Sequence, residues 1–135
     1  MKYDVETIKL ISLFEKITRA RVRDLFVQHM PIFIVQQGDI RQALGRNNMN
    51  LNRLEKLLKK KIKIIEYSDS LLQFVLNVIA PIKVADIKEE DNTVIITPKD
   101  TKTRGYLIGR AGSSLRNYEQ IVKRYYPDVK EIKVL

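Results

Sequence analysis

The sequence predicts an α+β protein made of two copies of one α-β-β-α-α-β unit, residues 1–67 and 68–135, docked rigidly on each other. Three observations carry this. An apolar-glycine-arginine corner occurs twice at a constant offset of 64 residues, and apolar spacing runs through the same series of periods on both sides of the midpoint. Only four residues, Tyr67-Ser68-Asp69-Ser70, join the copies. A half of this size buries roughly 60% of its extended-chain surface, and so short a linker leaves little freedom of orientation. Docking follows from both.

In the first copy, Asp4 caps a helix on which Ile8, Ile11, Phe14 and Ile17 recur at helical spacing, with Leu10 and Leu13 widening the stripe. Ala20 to Leu25 partly alternates and Ile32 to Val35 is an apolar, β-rich run, so both read as strands. Gln28-His29-Met30-Pro31 forms the turn between them, because proline discourages continuation of the first strand. Asp39 stands where it can cap a short helix over 40–44. The Gly45 corner follows, then a helix marked by Leu51, Leu54, Leu57 and Leu58 that ends in Lys59-Lys60-Lys61, and a strand with Ile62, Ile64 and Ile65. The lysine run complements the helix C-terminal dipole on a solvated face, with a specific phosphate contact as the other reading.

The second copy repeats the series. A helix over 71–79 stops before Pro81. Val84 to Ile87 and Val94 to Ile96 form a hairpin across Glu89-Glu90-Asp91-Asn92, and residues 98–103 form a polar loop. Tyr106 to Ile108 is a short helix into the Gly109 corner. Leu115 to Tyr125 is the next helix, with Tyr118, Ile121 and Val122 facing in, and Val129 to Val134 is the closing strand.

The two corners are Leu44-Gly45-Arg46-Asn47-Asn48 with Leu51, and Ile108-Gly109-Arg110-Ala111-Gly112 with Leu115. Glycine supplies positive φ and lets another backbone approach where a Cβ would stand. The helix that follows opens with free N–H groups and a partial positive charge, so each corner is a natural anion seat, to which Arg46 and Arg110 add full charges. The second glycine of the first corner is replaced by Asn48. Asparagine reaches the left-handed region at modest cost, so the turn survives, while its side chain crowds an approaching backbone. A glycine that merely ends a helix would explain one such corner. It does not explain two in register, each with arginine after the first glycine.

Composition narrows the function classes. Formal net charge is +9, which suits a polyanionic partner. Residues 1–67 hold 14 Lys/Arg against 7 Asp/Glu and residues 68–135 hold 11 against 9, so the first half carries most of the surplus. There are no cysteines and one histidine, which removes disulfides, thiolate sites and most zinc or His-based acid-base schemes. No apolar run reaches the roughly 20 residues of a membrane span, and residues 1–6 carry acidic side chains without a signal-peptide core. A cytoplasmic protein without a membrane role is the expectation.

Nothing assembles into a catalytic set, a metal site, a cofactor seat or a small-molecule pocket. Gly109 to Ser114 lacks the Lys-Ser/Thr of a P-loop and the spacing of a dinucleotide fingerprint. Ser113 and Ser114 read as helix caps, since no histidine or nucleophile elbow accompanies them. Glu89-Glu90-Asp91 reads as a solvated hairpin tip, His29 as a surface residue, and Tyr125-Tyr126 as packing at a helix end.

The pattern apolar-Gly-x-x-Gly-x-x-apolar resembles the signature loop of the KH family of RNA-binding domains, and the repeated order α-β-β-α-α-β is that of its prokaryotic type, type II. With Gln37-Gly38-Asp39-Ile40-Arg41-Gln42-Ala43-Leu44-Gly45-Arg46, the segment Val22 to Leu25, and Ile65-Glu66-Tyr67-Ser68, the whole chain resembles the archaeal NusA-like proteins. The resemblance implies two tandem type II KH domains and a transcription elongation or termination factor that binds nascent single-stranded RNA, not an enzyme. It implies that Gly45, Arg46, Asn47 and Asn48, with Gly109, Arg110, Ala111 and Gly112, hold about four nucleotides of backbone per intact loop. Leu44, Leu51, Ile108 and Leu115 line the groove on the base side. Compared with bacterial NusA the chain lacks an N-terminal polymerase-binding domain and an S1 barrel, so contact with RNA polymerase stays open. The alternative is a KH scaffold that binds RNA polymerase or a ribosomal assembly particle mainly through protein contacts.

Overall fold

The structure is a computed structural model that describes residues 4–135; the reading of the amino terminus also covers Met1 to Tyr3, which lie outside the described residues. By contacts the chain divides into two compact units, Met1–Ser68 and Asp69–Leu135. Among the described residues each holds three α-helices and a three-stranded sheet.

In the first unit α1 spans Val5–Thr18, and the Asp4 carboxylate accepts the Thr7 N–H at 2.7 Å. Arg19 ends the helix in the left-handed conformation, and its N–H returns to the Glu15 carbonyl at 2.7 Å. The strands are β1, Val22–Val27, and β2, Pro31–Val35, paired antiparallel, with β3, Lys63–Glu66, parallel to β2. β2 is therefore central, and all five of its residues are buried. Phe14 of α1 stacks on Phe33 of β2 with ring centroids 4.3 Å apart. Leu25, Ala43, Leu54 and Ile62 close the same core. Proline opens β2 instead of closing the turn, because as the first residue of a strand it withholds no N–H from the ladder.

Joining parallel strands requires a crossover. Here it is α2, Ile40–Leu44, the Gly45 corner, and α3, Met49–Leu58. The corner lies at the apex of a connection whose two ends are held by neighbouring strands.

The second unit follows the same plan. α4, Leu71–Ile79, is capped by the Ser70 hydroxyl, which accepts the Gln73 N–H at 3.3 Å. β4, Asp86–Glu90, and β5, Thr93–Thr97, form the hairpin, and β6, Glu131–Val134, runs parallel to β5. The crossover is α5, Thr101–Ile108, the Gly109 corner, and α6, Ser113–Tyr125. Phe74, Leu107, Ile121 and Val122 are buried, and the Tyr125 ring meets Phe74 edge-on at 5.5 Å, so the tyrosine pair packs at the helix end.

Three local readings are corrected. The hairpin ladder runs from Asp86 opposite Thr97 to Glu90 opposite Thr93, so Glu89 and Glu90 are strand residues, and the turn is Asp91-Asn92 alone, both at positive φ. That is the two-residue turn whose twist matches the strands. α5 begins at Thr101, not Tyr106, because the Asp100 carboxylate accepts the Thr103 N–H at 2.7 Å and starts the helix there. Ser113 and Ser114 are not caps: Gly112 holds the cap position without a side chain, and both serines lie in the first turn of α6. Among the described residues no helix is long and apolar enough to cross a membrane.

Candidate nucleic-acid interface

The two corners share one backbone conformation. Gly45 sits at φ 76°, ψ 169° and Gly109 at φ 73°, ψ 179°; Asn47 and Ala111 are both at φ 54°; Asn48 is at φ 58° and Gly112 at φ 76°. Each first glycine returns its N–H one turn back, Gly45 to the Arg41 carbonyl and Gly109 to the Gly105 carbonyl, both at 2.9 Å. Each fourth residue closes the turn, with Asn48 N–H on the Gly45 carbonyl at 3.1 Å and Gly112 N–H on that of Gly109 at 3.2 Å.

The dihedrals explain which glycine could be lost. Positive φ with ψ near 180° is a region only glycine occupies at ordinary cost. A Cβ on Gly45 would also lie 2.9 Å from the Asn50 backbone nitrogen, and one on Gly109 2.8 Å from that of Ser114. The second position needs only the left-handed region, which asparagine visits. Asn48 therefore preserves the turn, and the side chains of Asn48 and of Asn47, which stands where the second corner has Ala111, distinguish the two corners.

Arg46, Asn47, Asn48, Arg110 and Ala111 are exposed, and Gly112 is half-buried. Among the described residues no hydrogen bond takes up the N–H groups of Arg46, Asn47, Arg110 or Ala111. Leu44 and Leu51 flank the first corner half-buried, as Ile108 and Leu115 flank the second. Each set of predicted residues is thus gathered on its own crossover: open donors, a cation and a partly apolar wall.

The stem beneath the first corner is tied to the sheet. Asp39 stands at the N-cap of α2, where its carbonyl accepts the Ala43 N–H at 2.9 Å, but its side chain makes no cap bond. Its carboxylate instead accepts the Arg21 backbone N–H at 2.8 Å and the guanidinium at 3.1 and 3.3 Å, so it fastens the helix start to the strand entry. The Gln42 amide donates to the Arg19 carbonyl at 2.8 Å, and the Asn50 amide to the Gln42 carbonyl at 3.0 Å. Asn50, which underlies Gly45, is a residue that sequence reasoning passed over; its equivalent Ser114, read from the sequence as a cap, underlies Gly109 at the same 64-residue offset. It also passed over Arg53 and Lys56, which with Arg46, Met49 and Asn52 border an open groove of about 420 Å³ beside the first corner. Their signal is helical spacing on the polar side of α3.

The Arg21 guanidinium and N–H hold the Asp39 carboxyl below the usual carboxylate range, and Thr7 and Thr103 do the same for Asp4 and Asp100. A carboxyl lowered in the folded state contributes stability that is complete above its unfolded pKa, about 3.9, and lost as pH falls through the folded value. The melting temperature is expected to stay level from about pH 7 to 5 and to fall below about pH 4. Asp39→Asn is expected to flatten part of that acid limb, and thermal melts between these limits measure it.

Two small three-stranded sheets, each with a helix-corner-helix crossover, define a mixed α+β protein consistent with a pair of KH-like domains. No protein-family model matches the chain. A relative from Methanococcus vannielii, named probable transcription termination protein NusA, is 36% identical over all of this chain and 80% of its own length. A protein of the same name from Methanocaldococcus jannaschii is 32% identical, covering all of this chain and 75% of itself. A solved structure titled "Crystal structure of APE1850" superposes with a TM-score of 0.73 at 24% identity, over 98% of this chain and 100% of that one, and so shares the fold. The chain belongs to the archaeal NusA family of transcription termination proteins.

Proposed function

We propose that this NusA-like factor acts in transcription termination or elongation by holding nascent single-stranded RNA on two type II KH domains, 1–67 and 68–135. The observation that supports it most is the repeated corner, one backbone conformation built twice, with exposed N–H groups and an arginine in each. Phosphates lie on the loop amides with Arg46 and Arg110, and bases turn toward Leu44, Leu51, Ile108 and Leu115. Gly112 lets the strand come close, whereas the Asn48 side chain keeps it farther off. The first unit compensates with charge: 14 Lys/Arg to 7 Asp/Glu, against 11 to 9 in the second. The division of labour is attraction by the first unit and clamping by the second.

A salt titration of RNA binding tests this. For a single strand, log affinity falls against log salt with a slope of about −0.7 per neutralised phosphate. A slope of about −3 or steeper is expected if several phosphates are held. A slope near zero would replace this reading with a scaffold that meets RNA polymerase or a ribosomal assembly particle through protein contacts.

A further inference from the structure

We infer that the outer face of α3 is a second RNA contact of the first unit, centred on Arg53 and Lys56, that grips phosphodiester backbone without reading bases and carries the strand on from the Gly45 corner. The inference rests on the RNA-binding reading above and adds a surface to it. Met49, Arg53, Lys56 and Lys60 follow one another at i, i+4, i+7 and i+11, which sets them along one side of the helix and the turn after it. The groove of about 420 Å³ bordered by Arg46, Met49, Arg53 and Lys56 meets a second of about 480 Å³ bordered by Lys56, Lys60 and Lys61, with Asn52 and Lys56 in the walls of both.

This face is cationic and largely uncompensated. Glu55 is the carboxylate in its walls, and it is already engaged, by Lys61 at 3.7 Å and by the Ile62 N–H at 3.1 Å. Among the described residues Arg46, Arg53, Lys56 and Lys60 form no ion pair. Unpaired cations so close together repel, and a polyanion relieves that repulsion. No aromatic residue lines either groove, so there is no platform on which a base would stack. Arg46 and Asn47 belong both to the corner and to the groove, and a backbone leaving the loop enters it directly. From Met49 to Leu58 the helical rise amounts to roughly 13 Å, room for about four nucleotides at the ~3.4 Å spacing of a stacked strand.

The second unit lacks the middle of this track. At the 64-residue offset Arg53 and Lys56 correspond to the neutral Asn117 and Gln120, whereas Lys60 corresponds to Arg124 and Asn52 to Arg116. What sets the first unit apart is the pair of cations in mid-helix.

The test compares the whole protein with Arg53→Ala/Lys56→Ala/Lys60→Ala, using labelled mixed-sequence RNA pools of about 6 and about 14 nucleotides over a range of salt. With three contacts at about −0.7 each, the triple variant is expected to lose about 2 from the salt slope on the longer pool and to bind it about tenfold or more weakly. Affinity for the shorter pool should change by less than about twofold. A charge-matched control, Lys83→Ala/Lys130→Ala/Lys133→Ala, removes exposed lysines from the second unit and should leave the slope as it was. A triple variant with the parental slope on the longer pool overturns the inference and leaves the face to a protein partner. Equal losses in the control, or on the shorter pool, overturn it too, because the effect is then one of overall charge or of the corner itself. Should the parent protein bind neither pool, the RNA-binding reading fails first and this inference with it.

Discussion

Gly109→Ala is expected to destabilise the second unit by about 2 kcal/mol or more, while Gly112→Asn, three residues on, costs less than about 1 kcal/mol. Gly109 lies at φ 73°, ψ 179°, where an L side chain is strained whatever the space around it. Space is lacking as well, since the new Cβ would stand 2.8 Å from both the backbone nitrogen and the Cβ of Ser114. Backbone in the first turn of α6 cannot yield without unwinding the turn. Gly112 is different on both counts. Its conformation is left-handed at φ 76°, ψ 12°, and its added Cβ would meet only the Arg116 guanidinium, at 3.3 Å, the mobile end of a long side chain. Asn48 already occupies the equivalent place in the first unit. Urea unfolding followed by tyrosine fluorescence reads the contrast, because Tyr106, Tyr118, Tyr125 and Tyr126 all lie in the second unit. Equal costs at the two glycines would show that the corner is looser than its dihedrals indicate.

Arg110→Asp/Ala111→Asp is expected to weaken RNA binding about 10- to 100-fold at low salt, the result of placing two anions where a phosphate is to lie. The substitutions do not threaten the fold. Both residues are exposed, and Arg110 makes no ion pair among the described residues. Ala111 sits at φ 54°, ψ 29°, a left-handed conformation that aspartate tolerates better than alanine. A circular dichroism spectrum matching the parent's, together with lost affinity, is the expected pair of results. A folded variant that binds RNA with parental affinity would remove the second corner from the interface.

How far each feature could be read ahead depended on the range of the forces behind it. Helix α4 was legible to the residue because its apolar spacing, its Ser70 cap and the proline beyond it are all local. The corners were legible for the same reason, since positive φ is a demand a residue meets or fails by its own Cβ. β4 was misplaced because an edge strand with one half-buried residue, Ile87, has almost no hydropathic period; its register is set by backbone pairing with β5. Arg53 and Lys56 passed unnoticed because a cation on a helix is ordinary until its neighbours in space are known.

By itself, then, the sequence determined the succession of helices and strands, the left-handed corners and the concentration of charge in the first half. Those properties depend on spacing, on the conformational range of single residues and on simple counting. Tertiary structure alone decided the central place of β2 and β5 and the parallel pairing of β3 and β6. It also decided that the Asp39 carboxylate binds Arg21 and not the first turn of α2, and that the cations of α3 line two grooves with a shared wall. In each of these cases groups far apart in the chain compete for one partner or one surface, and only packing settles such a competition.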